Sequence, residues 1–209
     1  MAAVPARETV VLLATRNAGK VADLRRLLGA YPVRVVGTDE VEPYAEVAET
    51  GATFTANALL KARAGVAATG LLSIADDSGL GVDALGGMPG ILSARWSGGL
   101  VAGRPVDEAN LALVLAQLAD VDHRAAAFVC VAAAAAPSGT EVSVVGTVRG
   151  TVLREPRGSG GFGYDPIFQP HGSARTTAEM SPEEKDLISH RGRAFRALAP
   201  RLIGLLERC

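Results

Sequence analysis

The sequence predicts an α/β chain, and three observations carry that reading. Val10 to Ala14 is wholly apolar and runs through a polar, glycine-containing loop into Val21, Leu24, Leu27 and Leu28 at helical spacing. A second apolar run, Leu71, Leu72 and Ile74, ends in Asp76-Asp77-Ser78-Gly79, as a buried strand does when it delivers acidic side chains to the carboxyl edge of a sheet. Arg124 to Ala136 and Glu141 to Val148 flank Pro137-Ser138-Gly139-Thr140 and read as a long β-hairpin.

Taken in order, the first strand leads into Thr15-Arg16-Asn17-Ala18-Gly19-Lys20. Strand, glycine loop and helix together present backbone N–H groups and a positive dipole end to an anion. The Walker A spacing is missing, so the reading is a phosphate cradle with Lys20 as counter-charge, its rival a plain βα connection. Val33 to Val36 is a second short strand, and the acidic segment 37–51 reads as largely solvated charge. Thr53 opens a helix that runs to Thr69 and is closed by Gly70. Asn57 and Lys61 lie four residues apart on it and share a face.

Asp76 and Asp77 repel one another, so a metal or a cationic ligand is what keeps both ionised; the rival is a turn built on Asp-Asp-Ser-Gly. Residues 82–90 form a glycine-rich turn, and Trp96, the sole tryptophan, reads as a packing anchor beside Arg95, its rival a mobile wall of a pocket. Leu111, Val114, Leu115 and Leu118 mark another helix. The alanine run in the hairpin suits close packing of another layer or subunit. In Gly158-Ser159-Gly160-Gly161-Phe162-Gly163-Tyr164-Asp165-Pro166, aromatics among glycines suggest a loop that approaches a flat ligand, with a base stacked on a ring and backbone N–H groups reading its edge; the rival is a flexible surface loop. Ser181-Pro182-Glu183-Glu184 is a capping box opening a helix that carries Lys185. Lys185, His190 and Arg191 converge only if that helix breaks near Ser189, with a terminal helix from Arg193 to Arg208 after it.

Composition narrows the function. The net charge of −1 gives no broad basic surface for a nucleic-acid polymer. No apolar run approaches the roughly 20 residues of a membrane span, and Met1 to Glu8 lacks the layout of a signal peptide. Cys130 and Cys209 have no metal spacing and read as free thiols in a reducing cytosol. Only Lys20, Lys61 and Lys185 among the 21 basic residues are lysines; the reading is that a compact ammonium is wanted there in place of a guanidinium fork, its rival chance among so few residues.

These motifs, in this order, give the chain a close resemblance to the inosine triphosphate pyrophosphatase family, house-cleaning enzymes that act on non-standard purine nucleotides. The likeness covers nearly the whole chain: Thr15 to Lys20, Glu49 to Phe54 with Asn57 and Lys61, Ala75 to Leu80, Gly86 to Gly90 with Ser93-Ala94-Arg95, Gly160 to Pro166, and Ser189 to Gly192. It implies one domain over 1–209, elongated, with two lobes around a long mixed β-sheet, flanking helices and the active site in the cleft between lobes. It also implies a cytoplasmic homodimer that hydrolyses ITP, dITP or XTP to the monophosphate and pyrophosphate with Mg²⁺. By the same resemblance Asp77 is the general base, with Lys20 and Lys61 as further catalytic residues and Asp77 and Glu49 as metal ligands. Thr15, Arg16, Asn17, Ala18, Gly19, Lys20 and Ser78 hold phosphates, while Phe162, Gly163, Tyr164, Asp165, Lys185, His190 and Arg191 bind the nucleotide. One departure is Ala48, where relatives often carry a second acid before Thr50-Gly51; a metal role on this segment rests on Glu49 or is dropped.

The residues also bear on mechanism. Direct attack by water is favoured, because no serine or cysteine has a His-Asp partner set. Mg²⁺ on Asp77, with Asp76 and Glu49 as candidates beside it, would bridge phosphate oxygens, and Lys20 and Lys61 would offset phosphate charge. Backbone N–H groups from Gly161 to Tyr164, or Arg191, would meet the six-oxygen of hypoxanthine or xanthine and face adenine's amino group with a donor. Two other readings stay open: a pyrophosphatase for other modified nucleotides, and a nucleotide-binding sensor without turnover.

Overall fold

The computed structural model describes residues 9–29, 33–98 and 103–206. Its strands are β1 (Thr9–Leu13), β2 (Val33–Val36), β3 (Leu72–Val82), β4 (Ala125–Ala135), β5 (Glu141–Val152) and β6 (Phe168–Pro170). Its α-helices are α1 (Ala18–Leu28), α2 (Phe54–Thr69), α3 (Val106–Gln117), α4 (Pro182–Ile188) and α5 (His190–Leu206). The described strands form one mixed sheet in the order β2-β1-β3-β4-β5-β6. β1 is parallel to β2 and β3, and the remaining pairs are antiparallel.

One expectation is corrected here. β3 does not end at its acidic pair but runs on through Asp76, Asp77, Ser78 and Gly79 to Val82. The reason is β4, which offers an antiparallel partner from Ala135 to Ala126 along that length. Backbone pairing with this alanine-rich strand outweighs the turn preference of Asp-Asp-Ser-Gly. On its other edge β3 is covered by β1 only from Leu72 to Ile74. The two carboxylates therefore sit in mid-strand, just past the point where β1 leaves, and the pleat sends them to opposite faces of the sheet.

Both faces are closed by helices that approach the backbone directly. On one, Ala194, Phe195 and Leu198 of α5 pack on Cys130, Ala132, Ala134 and Val144. On the other, Ala58 and Ala62 of α2 meet Val131, Ala133 and Ala75. The alanine run is thus explained by two close helices. Glycine completes the fit: a Cβ on Gly146 would lie 2.1 Å from His190 O and 2.5 Å from Ala194 N. Further along, Leu80, Val82, Leu118, Phe128, Ile167 and Phe168 build a second apolar cluster under α3.

The expected break between α4 and α5 is present. The capping box of Ser181 and Glu184 opens α4. Ser189 is extended, at φ −64° and ψ 154°, and its Oγ accepts from Gly192 N–H at 2.9 Å. α5 then starts at His190, three residues earlier than the sequence places it, because Ser189 itself is the cap. Cys130 is a buried free thiol, and Cys209 lies outside the described residues. Among the described residues no helix is long and apolar enough to cross a membrane.

Gly146→Ala tests the direct approach of α5. The expected result is a loss of about 1–3 kcal/mol in unfolding free energy, from overpacking against a backbone that cannot yield cheaply. Urea denaturation with an unchanged m value and a lowered midpoint would show it.

Candidate active site

Beside the open edge of β3 lies a cavity of about 800 Å³. Its lining contains Thr15, Arg16, Asn17, Lys20, Glu49, Lys61, Asp77 and Ser78 together with Phe162, Gly163, Tyr164, Asp165, Lys185, His190 and Arg191. These are the residues singled out from the sequence, apart from Ala18 and Gly19, whose backbone forms the first turn of α1. Asn17 caps that helix by accepting from Lys20 N–H at 3.0 Å. The N–H groups of Ala18 and Gly19 have no i−4 carbonyl within the helix, so the turn keeps the donor character of an anion site.

The pleat of β3 divides the charges into two groups. On the α5 side, Asp76 is fully buried, and its Oδ2 lies 3.0 Å from Lys20 Nζ and 3.5 Å from Arg191 Nε. Ser78 Oγ donates to the same oxygen at 3.2 Å and accepts from Arg191 Nη2 at 3.2 Å. Burial works against the Asp76 charge, but Lys20, Arg191 and Lys61 together hold its carboxyl well below the usual aspartate range. Asp76 Oδ2 is thus engaged by two cations on the face of the sheet opposite Asp77, which separates it from the Asp77–Glu49 pair.

On the α2 side, Asp77 Oδ2 accepts from Asn57 Nδ2 at 3.1 Å and Oδ1 from Lys61 Nζ at 3.3 Å. Lys61 Nζ also donates to Glu49 Oε1 at 2.9 Å. Burial raises the Asp77 carboxyl above its ordinary value despite Lys61, and the neighbouring Glu49 adds to the rise. Lys61 moves up as well: burial opposes its charge, but Asp76, Asp77 and Glu49 overcome that. Two adjacent aspartates are thereby pushed in opposite directions, the arrangement that separates a held charge from a proton acceptor.

The aromatic loop is organised by Asp165. Its Oδ2 accepts from Lys185 Nζ at 2.6 Å and from Phe162 N–H at 2.8 Å, and Thr177 Oγ1 donates to Oδ1 at 2.7 Å. Gly161 must be glycine, since at φ +72° a Cβ would meet Asp165 Oδ2 at 2.1 Å. Lys185 Nζ and Arg191 Cζ lie 5.1 and 5.3 Å from the Phe162 ring centroid. Gly163 N–H donates to Asp107 Oδ2 at 2.9 Å. The N–H groups of Phe162 and Gly163 are therefore engaged within the protein, which narrows the expected base-reading backbone, Gly161 to Tyr164, at those two positions. Lys185 and Arg191 bring side-chain donors to the same ring.

Sequence reasoning left Arg95 and Asp107 out of the site, although both line the cavity. Arg95 Nη1 donates to Glu49 Oε2 at 2.8 Å and Nη2 to the Glu49 carbonyl at 3.3 Å. Its short 3-10 helix, Gly90–Arg95, is fixed to β3 because Ser93 Oγ accepts from Leu80 N–H at 2.9 Å, and to the aromatic loop because Tyr164 Oη donates to Ser93 O at 2.9 Å. Gly79 leaves room for it: a Cβ there would be 2.3 Å from Gly90 O. The signal for Arg95 was present in Ser93-Ala94-Arg95, while nothing local marked Asp107. Trp96 donates to Gln117 Oε1 at 2.9 Å and packs with the second apolar cluster, as a packing anchor should.

Residues 11–201 match the Ham1 family. A dITP/XTP pyrophosphatase of Nocardia farcinica is 56% identical over 203 residues, covering 95% of this chain and 97% of that protein. One from Streptomyces coelicolor is 55% identical over 196 residues, covering 92% of this chain and 96% of that protein. Among solved structures, the Staphylococcus aureus Ham1 protein superposes with a TM-score of 0.82 at 40% identity, over 94% of this chain and 99% of that one. A nucleoside-triphosphatase / dITP/XTP pyrophosphatase from Mycobacterium abscessus gives a TM-score of 0.72 at 54% identity, over 92% of this chain and all of that one.

His190 supplies a pH test. Its buried ring stacks on Phe128, with centroids 4.7 Å apart and planes 13° from parallel. Burial first, then Arg191 and Lys185, hold its pKa well below the ordinary histidine value. Folded His190 therefore stays neutral while the unfolded chain takes up a proton as pH falls through about 6.5. Stability should fall on that descent, with this one group contributing up to about 1.4 kcal/mol per pH unit below it. Denaturation from pH 7.5 to 5 should show this slope in the wild type and a shallower one in His190→Gln.

Proposed function

The chain belongs to the Ham1 family, and we propose on that premise that it hydrolyses the non-standard purine nucleoside triphosphates ITP, dITP and XTP to the monophosphate and pyrophosphate. The observation that carries the reading is the meeting, in one cavity, of the Asp77–Glu49 carboxylate pair, the Lys20 and Lys61 ammonium groups and the Phe162 ring. The names of relatives at 55 and 56% identity support it.

Asp77 is the general base in this reading. Asn57 occupies one lone pair of its Oδ2 and leaves the second to accept the proton of the attacking water. Its raised pKa brings that acceptor closer to neutral pH, where proton transfer is more efficient. Lys20, Lys61, Ser78 and the first turn of α1 hold the phosphates in line. Phe162 stacks the base, and Lys185 and Arg191 donate toward its six-oxygen.

We take Mg²⁺ as the cofactor, with Asp77 and Glu49 as the residues that would hold it. The fit rests on the structure: Asp77 Oδ1 and Glu49 Oε1 already converge on a single cationic atom, Lys61 Nζ. Both donors are hard oxygens. Among the described residues no cluster of three or more acidic, histidine or cysteine side chains forms a cage. A pair of carboxylates completed by phosphate oxygens and water is the usual Mg²⁺ arrangement at nucleotide sites. When bound, the ion would neutralise phosphate charge and lower the pKa of the attacking water. A cytoplasmic homodimer is also part of the proposal, on the resemblance alone.

Pyrophosphate release with Mg²⁺ across ITP, dITP, XTP, GTP and ATP tests the reading. The expected order puts ITP, dITP and XTP together at the top, GTP lower and ATP lower still by a factor on the order of 10⁴ in kcat/KM, because adenine's amino group faces buried donors. ATP turnover within a few-fold of ITP would contradict the base assignment. Orthophosphate as the first product would contradict cleavage between the α and β phosphates, and binding without turnover would leave a sensor.

A further inference from the structure

Lys61 is placed where a metal-binding pair would not be expected to tolerate a lysine. Its Nζ bridges Glu49 Oε1 at 2.9 Å and Asp77 Oδ1 at 3.3 Å, so it fills the space between the two carboxylates. The outer oxygens of the same two groups are held by other donors. Glu49 Oε2 is fixed by Arg95 at 2.8 Å, and Asp77 Oδ2 by Asn57 at 3.1 Å. Asn57 is itself locked, since its Oδ1 accepts from Gly51 N–H at 2.7 Å. Each carboxylate thus has one oxygen held by a fixed support and one held, among the described residues, by Lys61, and the two latter oxygens face each other across the ammonium.

This division of labour has a consequence for binding. Removing Lys61 would free both facing oxygens while Arg95 and Asn57 kept the carboxylates aimed. A lysine on a flexible four-carbon stem is suited to such a move, and its side chain already lines the cavity that would receive phosphates. We propose that Lys61 is an exchangeable counter-ion, which closes the site between Glu49 and Asp77 until a substrate phosphate draws it away and a divalent cation takes its place. Substrate and cation then favour one another's binding through a single side chain, and the favour is reciprocal. The free protein is spared two adjacent uncompensated carboxylates. The inference rests on the reading of Glu49 and Asp77 as the metal pair.

The test is Mn²⁺ binding to the nucleotide-free protein, read from the electron paramagnetic resonance signal of free Mn²⁺. Lys61→Met should bind Mn²⁺ at least about tenfold more tightly than the wild type, within the range of site-to-site coupling. Lys20→Met removes the same unit charge next to Asp76 and should give a much smaller gain. The double variant Lys61→Met with Glu49→Gln should lose the new affinity. Lys61→Gln serves the same purpose if the methionine variant does not fold. Equal or weaker binding in the Lys61 variants would overturn the exchange, as would an equal gain in Lys20→Met. A tight site that survives Glu49→Gln would instead refute the metal pair itself, and the exchange with it. If Glu49→Gln abolishes a tight site seen in Lys61→Met, both the pair and the exchange stand.

Discussion

The structure depends on one backbone constraint, the uninterrupted pairing of β3 with β4. Because Asp76 and Asp77 lie in mid-strand on opposite sides of a pleated ribbon, their carboxylates bond to different partners. Asp76 is enclosed with Lys20 and Arg191 beneath α5, where loss of its charge would strand two cations. Asp77 faces α2, where Glu49 lies nearby and a single lysine serves both carboxylates. The sheet itself separates the carboxylate enclosed with Lys20 and Arg191 from the one that lines the cavity.

The three lysines follow the same logic. Each is paired with an acid of the cavity: Lys20 with Asp76, Lys61 with Asp77 and Glu49, Lys185 with Asp165. They are nearly buried and come from different helices, α1, α2 and α4, so the cavity is also where those helices are pinned to the sheet. Arg95 and Ser93 extend this from the 3-10 turn, which ties Glu49, the end of the acidic strand and the aromatic loop into one unit. Positioning groups on regular elements costs desolvation of several charges, offset by the mutual pairing seen here.

Much of this was legible in the sequence, because the site is built from local patterns. The cap and helix spacing of Asn57 and Lys61, the break at Ser189 that aims His190 and Arg191, and the glycines around Phe162 each have a local physical cause. The extent of β3 was not legible, since its second half is written in turn residues and owes its extended form to a partner some 50 positions later. Nor was the occupation of the Phe162 and Gly163 N–H groups, which depends on Asp165 and on Asp107 from a separate helix. The different partners of Asp76 and Asp77 follow from the strand continuing through both, and so were not legible either. Arg95 was missed because its importance lies in Glu49, 46 residues away.

The separation of the two aspartates is the central claim, and comparing Asp76→Asn with Asp77→Asn measures it most directly. Unfolding free energy and pyrophosphate release from ITP would be determined on both variants at neutral pH. The account predicts that Asp76→Asn loses about 3 kcal/mol or more of stability, the cost of leaving buried cations uncompensated. Because folded Asp76 has a depressed pKa, that difference should be present above the ordinary aspartate pKa and shrink as pH falls below it. Asp77→Asn should keep stability within about 1 kcal/mol, as for a strained functional group, and lose at least about 100-fold in turnover. An Asp77→Asn protein that unfolds readily yet turns over normally, beside a stable and inactive Asp76→Asn protein, would contradict the assignment.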